Sequence, residues 1–281
     1  MKKIIMVAGL IVIMLGAGLL GGCYRGTEDN GKVSSSTFDY KDFSAIEVQN
    51  DFDLEITYGE SYSINISGSE RIMGRIDVTK SGDTLKISQH GWQWFGFWNS
   101  SPKAVITLPD LRRLDVSGAS SGTVRGFKSD KDFALKLSGA SDLDIVMETG
   151  DFNTDISGAS GLVMNLKSAS FDGEASGASN IKGSLETGRT DLRLTGASDA
   201  KITGSGDDMH LNASGASGAK LTGFSVTSAV VNLSGASDGD VSVSDKLDLD
   251  ISGASTLNYY GSPVIGKTEI SGASDLNHKT K

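Results

Sequence analysis

The chain has 281 residues, a net charge of −9, 36 glycines, three prolines, three histidines and one cysteine. A single cysteine excludes a disulfide framework and a cysteine-rich metal site, and three histidines argue against a histidine-rich centre, so no metal and no cofactor is expected. The acidic balance argues against nucleic acid, which needs clustered Lys and Arg to neutralise phosphates, and glycine without a Gly-X-Y period excludes collagen.

Residues 1–22 read as a lipoprotein signal peptide. Lys2 and Lys3 supply the positive start, residues 4–20 are an apolar run, and Leu20-Gly21-Gly22-Cys23 closes it. A small-residue site directly before the only cysteine resembles the bacterial lipobox, in which the cysteine becomes a lipid-bearing N-terminus. Acyl chains at about 0.8 kcal/mol per buried CH₂ give durable anchoring. The alternative reading is a permanent membrane helix with a structural cysteine. Residues 23–40, with Glu28, Asp29, Asn30, Gly31 and Ser34 to Ser36, read as a flexible tether from a lipidated Cys23. The expected address is the bacterial cell envelope, at an outer membrane or the cell surface, with the membrane as a partner through Cys23.

Residues 41–110 alternate apolar and polar over short runs. Phe43, Ile46, Val48, Phe52, Leu54, Ile56 and Tyr58 read as two strands around Asn50-Asp51, and further strands are expected near 62–66, 76–78, 85–87 and 104–108. Ser67-Gly68-Ser69 looks like a degenerate echo of the repeat described next. This region is expected to continue the same stack of strands as an irregular cap. It carries an aromatic insertion over 91–98, in which Trp92, Trp94, Phe95, Phe97 and Trp98 fall within seven residues. Large rigid aromatics suit binding hot spots. The segment reads either as a lid over the N-terminal core or as a patch for a protein, a glycan, a membrane surface or a second copy of the chain.

Residues 111–281 decide the fold class. A tetrapeptide begins at Ser117 and returns at Ser138, Ser157, Ser176, Thr195, Ser214, Ser234, Ser252 and Ser271. Eight copies are Ser-Gly-Ala-Ser, and the fifth is Thr195-Gly196-Ala197-Ser198. A fixed short period must be read before any motif. The flanks alternate with period two, as in Phe133-Ala134-Leu135-Lys136-Leu137 and Leu247-Asp248-Leu249-Asp250-Ile251, so they are strands with one buried face. Coils of about 19 residues, each with two strands and a glycine bend, stack into an all-β solenoid in which equivalent residues form columns. Gly118, Gly139, Gly158, Gly177, Gly196, Gly215, Gly235, Gly253 and Gly272 are the turn positions, where φ > 0 or a tight bend is required. Strict alternation would turn Gly139 and Ser141 inward; a bend would turn Ala140 inward instead. Leu135, Leu143, Ile145, Leu162, Met164, Val230 and Leu257 are among those expected in the interior. Parallel crossovers are right-handed in about 98% of cases.

The opening Phe43-Ser44-Ala45-Ile46-Glu47-Val48, the later Ile106-Thr107-Leu108-Pro109-Asp110-Leu111 and the repeated Leu-x-Val/Leu-Ser-Gly-Ala-Ser resemble the head GIN domain family of putative autotransporter adhesins. The resemblance spans about residues 43–275. It implies a right-handed parallel β-helix, exported and often lipid-anchored, without catalytic residues to carry over.

Two Gly-x-Ser-x-Gly matches, at 118–122 and 235–239, would mark a hydrolase nucleophile only on a strand-to-helix turn. Here each is the repeat followed by a glycine, and only His90, His210 and His278 could act as base. Asp142, Asp199, Asp238 and Asp275 follow the tetrapeptide in four coils, too irregularly for a calcium column of six to eight oxygens. Short uniform coils build little cleft. The reading is therefore a non-catalytic, lipid-anchored binding, adhesin-like or structural module. The alternatives are a polysaccharide-active β-helix enzyme using paired carboxylates and an envelope sensor or assembly factor.

Overall fold

The computed structural model describes residues 32–90 and 101–280. Cys23 and the aromatic segment 91–98 lie outside these residues. The described chain is all-β apart from one four-residue helix.

Its N-terminal part comprises β1 (Val33–Thr37), β2 (Ala45–Asn50), β3 (Asp53–Tyr58), β4 (Ser63–Ser69), α1 (Glu70–Met73), β5 (Ile76–Ser81), β6 (Thr84–Gln89) and β7 (Lys103–Leu108). Then come β8 (Arg113–Gly118), β9 (Ser121–Lys128), β10 (Phe133–Leu137), β11 (Asp142–Glu148), β12 (Asp151–Ile156), β13 (Gly161–Lys167), β14 (Ser170–Ala175), β15 (Asn180–Glu186) and β16 (Arg189–Leu194). In the next coils the second bend is absorbed into longer strands, β17 (Asp199–Ala213), β18 (Gly218–Leu233) and β19 (Asp238–Ile251). β20 (Thr256–Tyr260), β21 (Val264–Ile270) and β22 (Asp275–Lys279) finish the described chain.

Two parallel ladders run the length of the solenoid. The first stacks β6-β2-β8-β10-β12-β14-β16, continues through the C-terminal parts of β17, β18 and β19, and ends at β21. The second stacks β7-β3-β9-β11-β13-β15, continues through the N-terminal parts of β17, β18 and β19, and ends at β20 and β22. Alternate residues point inward and fill the space between the ladders. Phe133, Phe152 and Phe171 stack in register, with ring centroids 5.4 and 5.8 Å apart. Ala229 and Val231 take the inward places in β18, so Val230 is turned outward and only half-buried, a correction to the expected interior.

The tetrapeptide is the corner that joins the ladders. Its alanine N–H donates to the preceding coil's glycine carbonyl, as from Ala216 to Gly196 at 2.8 Å and from Ala254 to Gly235 at 2.7 Å. The coil-to-coil hydrogen bonds thus pass through the bend without a break. All nine repeat glycines have positive φ, from +73° at Gly272 to +98° at Gly118. They also stack backbone on backbone: a Cβ added to Gly215 would lie 2.5 Å from the Gly196 carbonyl oxygen. The second serine turns inward and the alanine outward. Ser141, Ser160, Ser198, Ser237 and Ser255 are fully buried. Their position is stabilised within the corner, as Ser141 Oγ donates to the Ser138 carbonyl at 3.0 Å and Ser217 Oγ to Ser214 at 2.8 Å. Between coils, hydroxyls of this column accept from backbone amides, as Ser160 Oγ does from Ser141 N–H at 3.3 Å, and at the first corner Ser120 Oγ donates to the Asn50 carbonyl. The alanine methyls form an exposed edge that packing does not explain.

The N-terminal end differs from the expected order. β6 and β7 form a coil that stacks outside β2 and β3, and the chain then crosses back through Pro109 to lay β8 and β9 on their other side. In the β2–β3 coil, Asn50 stands in register with Gly118 and has φ +83°. Asparagine tolerates this conformation better than most residues, so it replaces the repeat glycine. Ser67-Gly68-Ser69 is not an echo of the corner: it lies at the end of β4, which runs antiparallel to β1 and β7. Residues 33–37, expected within the tether, are β1 itself, and Tyr40 Oη donates to the Val78 carbonyl at 3.1 Å. The cap is completed by β5, antiparallel to β6.

Candidate functional site

The outward positions of each ladder form columns of side chains about 4.8 Å apart. In several columns, opposite signs meet between neighbouring coils. Lys86 reaches Glu47 at 2.7 Å, Lys103 reaches Glu55 at 2.8 Å, Arg125 reaches Asp144 at 2.8 Å and Lys136 reaches Asp155 at 3.5 Å. The hydrogen bond from Lys86 holds the Glu47 carboxyl below its ordinary range against the opposing effect of burial. Burial opposes ionisation of Asp110 most, yet Arg112 and Lys131 together still lower it. Lys128 lowers Glu148 through a hydrogen bond, and Lys246 with the Lys267 amide lowers Asp248. These displaced carboxyls are held as anions, whereas a general acid needs its pKa raised.

Like charges also stand opposite each other, at Asp155 and Glu174, Asp172 and Asp191, and Asp250 and Glu269, and one such row is cationic. Lys182, Lys201 and Lys220 lie directly opposite one another on β15, β17 and β18. All three are exposed, and among the described residues no hydrogen bond or ion pair reaches any of their amines. Like charges opposite each other on neighbouring strands are destabilising, and Asp240, directly opposite Lys220, offsets part of the repulsion at one end of the row. Val163, 48% exposed, precedes them in the column, and Asp240 follows. Ser184 and Thr203 stand two residues on along the same face. A groove of about 470 Å³ adjoins the column on the same ladder, bordered by Lys128, Glu148, Asn165, Lys167, Ser184 and Glu186. The row is legible in the sequence as a spacing, since its lysines are one 19-residue period apart.

The structure places the other sequence candidates apart. Ser120 and Ser237, the central serines of the Gly-x-Ser-x-Gly matches, are buried at corners followed by strands. Ser120 Oγ donates to the Asn50 carbonyl and Ser237 Oγ to the Ser234 carbonyl, each at 2.9 Å. Asp142, Asp199, Asp238 and Asp275 are exposed on the second ladder, and Asp142 faces Gly161 in the next coil. Among the described residues no group of three or more His, Cys, Asp or Glu side chains is placed to hold a metal. No helix among them is long and apolar enough to cross a membrane. A second groove, about 300 Å³, lies on the first ladder between Arg193, Asn212, Asn232 and Asp250, where Asn232 Nδ2 donates to Asn212 Oδ1 at 2.8 Å.

Two long parallel ladders joined by regular corners define a β-solenoid. The chain belongs to the family described as "putative auto-transporter adhesin, head GIN domain", whose model matches residues 42–165 and again 162–263. Among solved structures, it is similar to a "putative adhesin" from Parabacteroides merdae, at 18% identity over 89% of this chain and 97% of that one, with a TM-score of 0.67. A "putative lipid binding protein" from Parabacteroides distasonis matches at 18% identity over 89% and 98%, TM-score 0.66. A further "putative adhesin" from the same species matches at 16% over 88% and 98%, TM-score 0.67. At these identities the likeness establishes the fold. Against curated proteins the sequence finds no match.

Proposed function

We propose that this protein is a lipid-anchored solenoid of the bacterial cell envelope that binds an anionic glycan chain along its second ladder. The single observation carrying the ligand class is the column Lys182, Lys201 and Lys220. It is a row of three exposed cations, with no ion pair among the described residues, in a chain of net charge −9. The rigid stack holds the three lysine backbones about 4.8 Å apart, so a polymer with recurring carboxylate, sulfate or phosphate groups can meet several amines at once. Binding then orders the lysine side chains but not the backbone that carries them. The exposed Val163 and the hydroxyls of Ser184 and Thr203 offer apolar and hydrogen-bonding contact to the sugar rings. The description of the family as adhesins supports display of such a surface outside the cell. Lys2, Lys3, the apolar run and Cys23 support the anchor.

The test is binding of the full chain in detergent to a sulfated polysaccharide and to its desulfated form, by calorimetry. The triple variant K182S/K201S/K220S is expected to lose at least about tenfold in affinity, and the salt dependence is expected to flatten with it. Equal affinity of wild type and triple variant overturns the assignment. The anchor is tested separately: labelled fatty acid fed to the expressing bacterium should enter the wild-type chain and not Cys23→Ser. Equal labelling of both chains refutes lipidation at this site.

A further inference from the structure

The two ends of the solenoid are built differently. At the N-terminal end, β1 covers β4 and β5 covers β6, both antiparallel, so the parallel stack is closed by strands of another direction. At the other end, among the described residues, β21 pairs only with β19 and β22 only with β20. Their outer edges present unpaired N–H and C=O groups, a ready template for another strand. Apolar groups meant for an interior are uncovered there. Ile270 is 44% exposed where its neighbour in the column, Ile251, is fully buried, and Ile265 is 36% exposed above a buried Leu247. Leu276 is half-buried over a fully buried Leu257.

We propose that this end docks onto the same end of a second copy of the chain, through a two-fold axis perpendicular to the ladders. The charge pattern of the terminal coil selects this partner. An axis through Thr268 pairs β21 antiparallel with its own copy and brings the Lys267–Glu269 pair, which bridges at 3.1 Å within one chain, against the Glu269 and Lys267 of the second molecule, so that four alternating charges meet. An axis through Asn277 does the same for β22 and sets Asp275 opposite Lys279, again twice. Both requirements are met by one axis, because Thr268 lies three residues before the Ser271–Ser274 corner and Asn277 lies three residues after it. The irregularity in β21 lies at Gly266 and Lys267, which together face Asp248; the count from Thr268 to the corner is regular, and Lys267 reaches its partner from the bulge. Lys267, Glu269, Asp275 and Lys279 also cancel in charge, leaving this end neutral in an acidic chain that elsewhere repels its copies. Docking would continue both ladders across the junction, cover Ile265, Ile270 and Leu276, and produce a rod of double length with a capped N-terminal region at each tip. This arrangement is independent of the lysine column, which lies several coils away.

The test uses the full chain in detergent with Cys23→Ser as background. Sedimentation velocity should show a dimer. Asn277→Cys should cross-link to a dimer under mild oxidation, because directly opposed residues in an antiparallel pair have Cα atoms about 4.5–5.5 Å apart, within disulfide reach. Ser184→Cys, in the middle of the rod, should stay monomeric on the same gel. Glu269→Lys turns two attractive pairs into repulsive ones and should raise the dimer dissociation constant about 30-fold. K267E/E269K, which restores opposite charges across the axis, should recover it. Lys267 and Glu269 are largely exposed, and circular dichroism will verify that both variants remain folded. A monomer at all concentrations overturns the proposal. So does a dimer that Glu269→Lys leaves unchanged, or one abolished only by W94A/W98A. Loss of the dimer with glycan binding intact would leave the reading of the lysine column standing.

Discussion

Replacing Gly215 by alanine tests why the corner is built from glycine. Two separate penalties act there. The backbone sits at φ +85°, where an L-residue with a Cβ costs about 1–2 kcal/mol. The new methyl would also lie 2.5 Å from the Gly196 carbonyl oxygen, which must move away. That oxygen accepts from Ala216 N–H at 2.8 Å, so its displacement weakens a coil-to-coil hydrogen bond worth about 1 kcal/mol. The expected loss is about 3 kcal/mol. Gly82, in the β5–β6 hairpin, isolates the first penalty: its φ is +61° and a Cβ there meets nothing within 4 Å. Gly82→Ala should cost about 1 kcal/mol or less, since alanine also restricts the unfolded chain. Urea unfolding of the two variants gives the difference. Hydrogen exchange should place the Gly215→Ala effect at the corners 195–198 and 214–217, because solenoid coils interact mainly with their neighbours. Equal cost for the two substitutions would refute the claim that backbone stacking, and not φ alone, demands glycine.

Two buried threonines give a prediction of the opposite sign. Thr190 Oγ1 and Thr154 Oγ1 are buried without a hydrogen-bond partner. Thr190 lies in the column after Phe171, and valine matches its shape without the hydroxyl. Thr190→Val should stabilise the protein by about 1 kcal/mol, the lower end of the penalty for a buried unsatisfied group, read as a higher urea midpoint with unchanged slope. A lower midpoint would show that the hydroxyl has a partner in solution.

The solenoid was readable because each repeat reports the same geometry. Nine corners at nearly one spacing fix the coil, and period-two flanks such as Phe133 to Leu137 fix which face is buried. The direction of the corner residues was not readable. Parity can be carried along a strand but not through a bend of four residues, so Ser141 inward and Ala140 outward emerge only from the hydrogen bonds. Parity also failed for Val230, where β18 runs on through the second bend and its register shifts against β19. The N-terminal coil order was hidden for a different reason. Alternation identifies β2, β3, β6 and β7 as strands, yet nothing local in them says that the later pair stacks outside the earlier one. Asn50 escaped notice because a lone asparagine carries no repeat signal; its role follows from standing in register with Gly118. The lysine column differs again. Its spacing is written in the sequence, but its lack of partners depends on where every neighbouring carboxylate points.

The measurement that tests the account most directly is calorimetric titration of the full chain with a sulfated polysaccharide, run on wild type and K182S/K201S/K220S at two salt concentrations. The account predicts binding that weakens with salt in the wild type, a loss of at least about tenfold in the variant, and no binding of the desulfated polymer. Undiminished binding by the variant, or equal affinity for both polymers, would contradict it.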